Sequence, residues 1–126
     1  MDRVKFEELV ATAVEGLPDE LADRMENVVV MVQGMPTANQ LRRSGLRRGY
    51  TLLGLYEGVP RTIRGQSYGL VPPDKITIFQ RPIEEKCRQE KLDIATEIGE
   101  VVRHEIAHHF GISDARLEQI EREREK

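Results

Sequence analysis

Apolar residues near the start of the chain recur at intervals of three and four, the spacing of one face of an α-helix. They are Phe6, Leu9, Val10, Ala13, Val14 and Leu17. Asp2 precedes them as a residue type that caps helix N-termini, and Gly16 follows as a typical stop. The pattern therefore predicts an amphipathic helix over residues 2–16, and Pro18 begins a second helical segment.

The middle of the chain carries strand patterns. The β-branched run from Val28 to Val32, ended by Gly34, predicts a buried strand. Residues 50–56 predict a second strand with Gly54 as a possible bulge, and residues 75–79 alternate with period two and predict a third. A brief fourth strand is expected around residues 68–70. The polar stretch 36–49 predicts a loop with at most a short helix.

The last third of the chain is predicted to be helical. Residues 91–110 form the longest helical pattern, and residues 114–126 predict a charged terminal helix with Leu117 and Ile120 on its inner side. Cys87 falls in a charged linker or short helix, where an inert thiol is expected. The fold class is therefore α+β: N-terminal helices packed on a small mixed sheet of three to four strands, followed by a long helix and a short one. The 126 residues suit one domain, 1–126.

Composition excludes several classes of protein. No run approaches the roughly 18 apolar residues of a membrane-spanning helix, and the first residues lack the apolar core of a signal peptide. One cysteine rules out an internal disulfide and a zinc site built from thiolates. The net charge of −3 argues against a dedicated nucleic-acid binder. We therefore expect a cytoplasmic protein without a membrane or nucleic-acid partner.

All three histidines lie between positions 104 and 109, within an H-E-x-x-H sequence at 104–108 and the residue after it. At about 100° per residue, His104 falls roughly 40° to one side of His108 and Glu105 roughly 60° to the other. The three side chains thus share one helix face beside an apolar stripe. Two imidazoles one turn apart can bind one zinc ion, and the neighbouring carboxylate can take a proton from metal-bound water.

Residues around this motif have weaker assignments. His109 points about 100° away from His108 and is expected to pack or hydrogen-bond beside the ligands. Glu97 lies on the same face as His104 and could steady its ring, the alternative being a solvated glutamate. Gly111 can end the helix in a left-handed conformation and turn the chain back, which could bring Asp114 under the metal.

Asp114 has two interpretations at this stage. It could be a third metal ligand, or it could serve with Ser113 as the cap and acidic first turn of the next helix. If Asp114 only caps the helix, Glu118 on the following turn is the next candidate ligand.

The sequence H-E-x-x-H-x-x-G-x-x-D at 104–114 resembles the extended motif of the zincin metallopeptidases. It is most similar to a group of small bacterial zincin-like metallopeptidases, which segments 53–60 and 73–79 also resemble. The resemblance implies a minimal zincin-like domain with one Zn²⁺ per chain. It makes His104 and His108 zinc ligands, Asp114 the expected third ligand and Glu105 the general base. Unlike metzincins, the chain has no methionine after position 35 to form a turn below the metal.

Zincins usually bind an extended peptide against an edge strand above the active helix. Either residues 50–56 or residues 76–79 could supply that strand. No Tyr or His follows the third ligand to stabilise an oxyanion, so such a group must come from earlier loops. The candidates are Tyr56, Tyr68, Arg61 and Arg64.

Three functions follow from these observations. The first is a zinc-dependent peptidase in which Glu105 activates the water that hydrolyses peptide bonds of a peptide or protein substrate. The second is a metal-dependent endoribonuclease-like hydrolase, because residues 42–64 hold six arginines against one acid. Glu105 favours peptide chemistry over this interpretation. The third is a non-catalytic interaction module with a structural zinc bound by four protein ligands.

Overall fold

The computed structural model describes residues 1–46, 51–58 and 72–125. The N-terminal part comprises helix α1 (Arg3–Glu15), helix α2 (Asp19–Ala22) continued by a 3₁₀ turn (Asp23–Met25), strand β1 (Val28–Gln33) and helix α3 (Ala38–Ser44). Two strands follow, β2 (Gly54–Glu57) and β3 (Asp74–Phe79). The C-terminal part comprises helices α4 (Gln80–Glu90), α5 (Ile94–His109) and α6 (Asp114–Glu125).

The strands of the described residues form one mixed sheet in the order β1-β3-β2. β1 runs parallel to β3, with Val28 beside Asp74, and β2 runs antiparallel to it, with Gly54 opposite Ile78. β3 is therefore paired on both sides, and β1 and β2 are the edges of the sheet within the described residues. The α+β prediction with a small mixed sheet is confirmed.

One hydrophobic core joins the sheet to the helices. Alternate residues of β3 point to opposite faces, so Ile76 and Ile78 enter this core, whereas Phe79 packs with Leu52 and Leu55 on the other face. The core residues of the helices are Phe6 and Val10 from α1, Ile98, Val102 and Ile106 from α5, and Leu117 from α6. Helix α5 thus carries the apolar stripe that its sequence predicts.

Local sequence signals account for several element ends. The Asp2 carboxylate accepts a hydrogen bond from the backbone N–H of Lys5, and Gly16 caps the other end of α1, as predicted. In the stretch predicted to be mostly loop, Thr37 and Gln40 form a capping box that starts α3.

Two strand predictions need correction. β1 is not a buried strand but an edge strand, in which Val29 and Met31 face outward and are 42% and 52% exposed. A continuous apolar run does not distinguish one buried face from two. The second strand begins at Gly54 rather than Tyr50, which lies outside the described residues, and Gly54 pairs regularly with Ile78 without a bulge.

The long helix predicted over residues 91–110 starts later and is preceded by another helix. Lys91 adopts a left-handed conformation (φ 56°) that ends α4, and the Asp93 side chain then caps α5 by accepting from the N–H of Thr96. Cys87 lies buried within α4, which is 11 residues long. Pro82 occupies the first turn of α4, where its missing N–H costs no intrahelical hydrogen bond.

Several predictions fall outside the described residues: the brief strand at 68–70 and the candidate oxyanion groups Tyr68, Arg61 and Arg64. Among the helices that the structure describes, none is long and apolar enough to cross a membrane.

Candidate metal centre

The last two turns of α5 carry the H-E-x-x-H residues. His104 and His108 are one turn apart, and their ring centroids lie 6.2 Å from each other at an interplanar angle of 71°. His108 is the more exposed of the two. Buried Ile106 and Ala107 between the histidines anchor this part of the helix in the core, so both imidazoles project from a fixed backbone.

A Schellman motif ends α5 and reverses the chain. Gly111 has φ 69°, its N–H donates to the carbonyl of His108, and the N–H of Ile112 donates to the carbonyl of Ala107. The predicted left-handed conformation of Gly111 is confirmed. The reversal leads directly into α6, so the first residue of that helix lies beside the last turn of α5.

This turn brings Asp114 to the histidines. Its Oδ1 lies 3.9 Å from Nε2 of His108, and donor atoms of His104, His108 and Asp114 all lie within 4.8 Å of one another. Within the ranges described, these three form the one group of His, Cys, Asp or Glu side chains placed to hold a metal ion, and Glu118 is not in it.

The cap of α6 is supplied by Ser113 and not by Asp114. The Ser113 Oγ accepts the N–H of Arg116, so Ser113 supplies the cap of α6. Asp114 is the first helical residue, and its side chain is 82% exposed. Its carboxylate is therefore not needed for the cap.

The donor set suits zinc. Ligand atoms bound at about 2.0–2.1 Å in a tetrahedron lie about 3.4 Å apart, so rotations that move these atoms by about 1 Å would bring them onto one ion. The exposure of His108 and Asp114, 67% and 82%, leaves room for such rotations. Three protein ligands are the number typical of catalytic zinc sites, whereas structural sites have four.

Glu105 does not belong to the group of three candidate metal ligands, and its carboxylate is hydrogen-bonded to the main chain of β2. Its Oε1 accepts the backbone N–H of Tyr56 at 3.1 Å, which ties α5 to β2. Burial raises the pKa of the Glu105 carboxyl above its usual range, and the hydrogen bond from Tyr56 and the charge of His108 lower it by less. A carboxyl with a raised pKa is a stronger base at neutral pH.

Gly54 allows β2 to lie this close to α5. A Cβ atom on Gly54 would lie 2.8 Å from Cγ1 of Val101 and 3.2 Å from Cγ of Glu105. The role of Gly54 was not predicted beyond a possible bulge. An isolated glycine in a strand also signals a close backbone approach, and that is its use here.

Tyr56 and His109 lie next to this contact. His109, outside the group of three donors, stacks on the Tyr56 ring with centroids 3.7 Å apart and an interplanar angle of 15°. The Tyr56 hydroxyl donates to Oδ2 of buried Asp74 at 2.8 Å. While it does so, it has no proton to donate to an oxyanion. No sequence signal pointed to Asp74.

Glu97 is not solvated, which corrects that interpretation. It is 4% exposed and pairs with Nζ of Lys86 on α4 at 3.1 Å rather than with His104. Burial lowers the pKa of Lys86, but the hydrogen bond to Glu97 and the charges of Glu97, Glu90 and Glu100 outweigh it and raise that pKa. Glu97 and His104 line one groove of about 280 Å³ between α5 and the segment before β2.

The basic segment is described only in part. Arg43 forms an ion pair with Glu57 at 2.6 Å, which offsets one of its positive charges. Four of the six arginines between positions 42 and 64 lie outside the described residues.

Comparison with known proteins gives a family and a fold. A family model described as zincin-like metallopeptidase matches residues 25–124. A solved structure of a conserved hypothetical protein from Thermus thermophilus is similar, with a TM-score of 0.57 at 24% sequence identity, covering 87% of this chain and 94% of that one. No functionally curated protein matches the chain.

Proposed function

Because the chain belongs to the zincin-like metallopeptidase family, we propose that it is a zinc-dependent peptidase. The observation that carries the proposal is that three ligand atoms lie within 4.8 Å of one another, with the half-buried Glu105 carboxylate on the same helix face. In this proposal His104, His108 and Asp114 hold one Zn²⁺ per chain. The ion, when bound, supplies a Lewis acid that acidifies water and polarises the substrate carbonyl.

Glu105 is the general base. Its carboxylate takes a proton from the attacking water, holds it at the oxygen that does not accept from Tyr56, and passes it to the leaving amine. Burial supports this role because it raises the pKa of the carboxyl and so favours proton uptake. The Tyr56 N–H keeps the carboxylate in one orientation throughout.

The substrate is proposed to lie along the outer edge of β2. The other strand predicted as a candidate, residues 76–79, belongs to β3 and is already paired on both sides. The Leu53 carbonyl accepts from Phe79 N–H, so the main-chain groups of residues 53, 55 and 57 face β3 and those of Gly54 and Tyr56 face outward. Because the Tyr56 N–H donates to Glu105, a peptide would pair with the main chain of Gly54 and with the Tyr56 carbonyl. A peptide paired with that edge would pass the Glu105 carboxylate.

Cleavage of a peptide library by protein purified without chelator tests the proposal, with and without added chelator. We expect about one zinc per chain, cleavage that chelator abolishes, and loss of both in His104→Ala. Glu105→Gln should keep the zinc and lose cleavage, and it is the matched control for metal binding. Zinc-free protein, or cleavage that survives in Glu105→Gln, would contradict the proposal.

An RNA substrate assayed in parallel separates the alternatives. Metal-dependent RNA cleavage without peptide cleavage would favour the endoribonuclease hypothesis. Zinc bound by a fourth protein ligand, with neither activity, would favour the structural module.

A further inference from the structure

Within the described part of the chain, His109, Phe110 and Asp74 contact the side chain of Tyr56. His109 stacks on one face of the ring, and Phe110 meets it edge-on with centroids 5.9 Å apart. The hydroxyl donates to Asp74 at 2.8 Å. The neighbours come from β3 and from the C-terminal end of α5, so the ring is fixed against both elements that flank it.

The main chain of the same residue holds Glu105. A glutamate side chain has three rotatable bonds, and burial alone does not select the direction of its carboxylate. The N–H of Tyr56 donates to Oε1 of Glu105 at 3.1 Å and so fixes the direction of the carboxylate. The position of that N–H depends in turn on the contacts that hold the Tyr56 side chain between α5 and β3.

We propose that Tyr56 is a positioning residue for Glu105, with Asp74 as the anchor that locks it. This inference rests on the proposed function, since it concerns the orientation of the proposed base. Tyr56 acts through its backbone N–H, and its side chain keeps that N–H aimed at the carboxylate. The hydroxyl itself takes no part in the chemistry because it is bonded to Asp74.

Kinetics of the zinc-loaded full chain provide the first test. Tyr56→Phe and Asp74→Ala each remove the anchoring hydrogen bond, and we expect kcat to fall about 2- to 10-fold with zinc content unchanged and KM within about twofold. The double variant should lose less than the sum of the two single losses, and Asp74→Asn, which keeps an acceptor oxygen, should recover part of the rate.

The control is Arg3→Met. It removes another long-range side-chain hydrogen bond, from Arg3 to Gln80 at 2.7 Å between α1 and α4, and should leave kcat unchanged. Wild-type kcat in both Tyr56→Phe and Asp74→Ala would overturn the inference, as would an equal loss in Arg3→Met.

Amide NMR provides a second test that does not depend on activity. The Tyr56 amide proton should move upfield and exchange at least about tenfold faster in Glu105→Ala, and should change in the same direction by less in Tyr56→Phe. An amide that responds to Glu105→Ala but not to Tyr56→Phe overturns the positioning role. If the wild type cleaves no peptide, the proposed function fails, and this readout still decides whether Tyr56 orients Glu105.

Discussion

Replacement of Gly54 by alanine should both destabilise the protein and displace the proposed base. The new methyl would lie 2.8 Å from Cγ1 of Val101, whereas carbon atoms in contact prefer about 3.5–4.0 Å. Val101 is buried in the core on α5, so β2 or α5 must shift by about 0.7 Å or more to restore that separation. Overpacking of this kind costs about 1–3 kcal/mol. Urea unfolding should show this loss as a lower midpoint with an unchanged slope.

A second substitution isolates the cause. Val101→Ala removes the atom that the new methyl meets and alone should cost about 1–3 kcal/mol from lost burial and the cavity left behind. Gly54→Ala/Val101→Ala should cost no more than Val101→Ala alone, because the methyl then fills that space. In this double variant, the peptidase activity lost in Gly54→Ala should recover less than the stability does, because the new methyl still lies 3.2 Å from Cγ of Glu105.

Gly34 is the matched glycine control. Among the described residues, a Cβ there meets the guanidinium end of Arg3 alone, at 3.3 Å, and that end can move aside. Gly34→Ala should therefore change the unfolding free energy by less than about 0.5 kcal/mol. Additive losses in the Gly54→Ala/Val101→Ala variant, or equal losses for Gly34→Ala and Gly54→Ala, would refute the close-approach explanation.

Three further predictions concern other side chains. The thiol of Cys87 should react with a disulfide reagent at pH 8 at least about tenfold more slowly in native than in unfolded protein. The reason is that burial, followed by the charge of Glu97, raises the pKa of this thiol. Equal rates would contradict this. Lys86→Met should cost about 1–3 kcal/mol in urea unfolding because it leaves Glu97 buried without its cation, and Glu97→Gln should cost less; the reverse order would count against the pair. Asp114→Ala should weaken zinc binding at least about tenfold in a competition titration. Ser113→Ala should instead lower the free energy of unfolding by about 0.5–2 kcal/mol and leave the zinc affinity intact. The opposite pattern would make Asp114 the cap.

The parts of the fold and site that the sequence predicts well depend on local geometry. Helical periodicity places His104, Glu105 and His108 on one face, and Gly111 signals the reversal that brings Asp114 back to them. These residues all lie between positions 104 and 114, so short-range rules suffice. The edge position of β1 could not be predicted by such rules. It depends on the order of the strands in the sheet, β1-β3-β2, which pairing between distant segments decides.

The contacts that surround Glu105 could not be predicted in the same way. Tyr56 lies 49 positions from Glu105, and neither residue carries a pattern that specifies the other. Glu97 is likewise buried in an ion pair with Lys86, which approaches from a separate helix. Such pairs follow from how elements pack, which composition and periodicity constrain only weakly.

The proposed site therefore has two halves with different requirements. The metal half uses His108 and Asp114, which are 67% and 82% exposed and can adjust to an ion. The base half contains the half-buried Glu105 and lies against β2, where Gly54 sets the distance to α5 and Tyr56 sets the direction of the Glu105 carboxylate. Changes in β2 should for that reason lower the catalytic rate without releasing zinc, and changes in the turn before α6 should release zinc without disturbing the base.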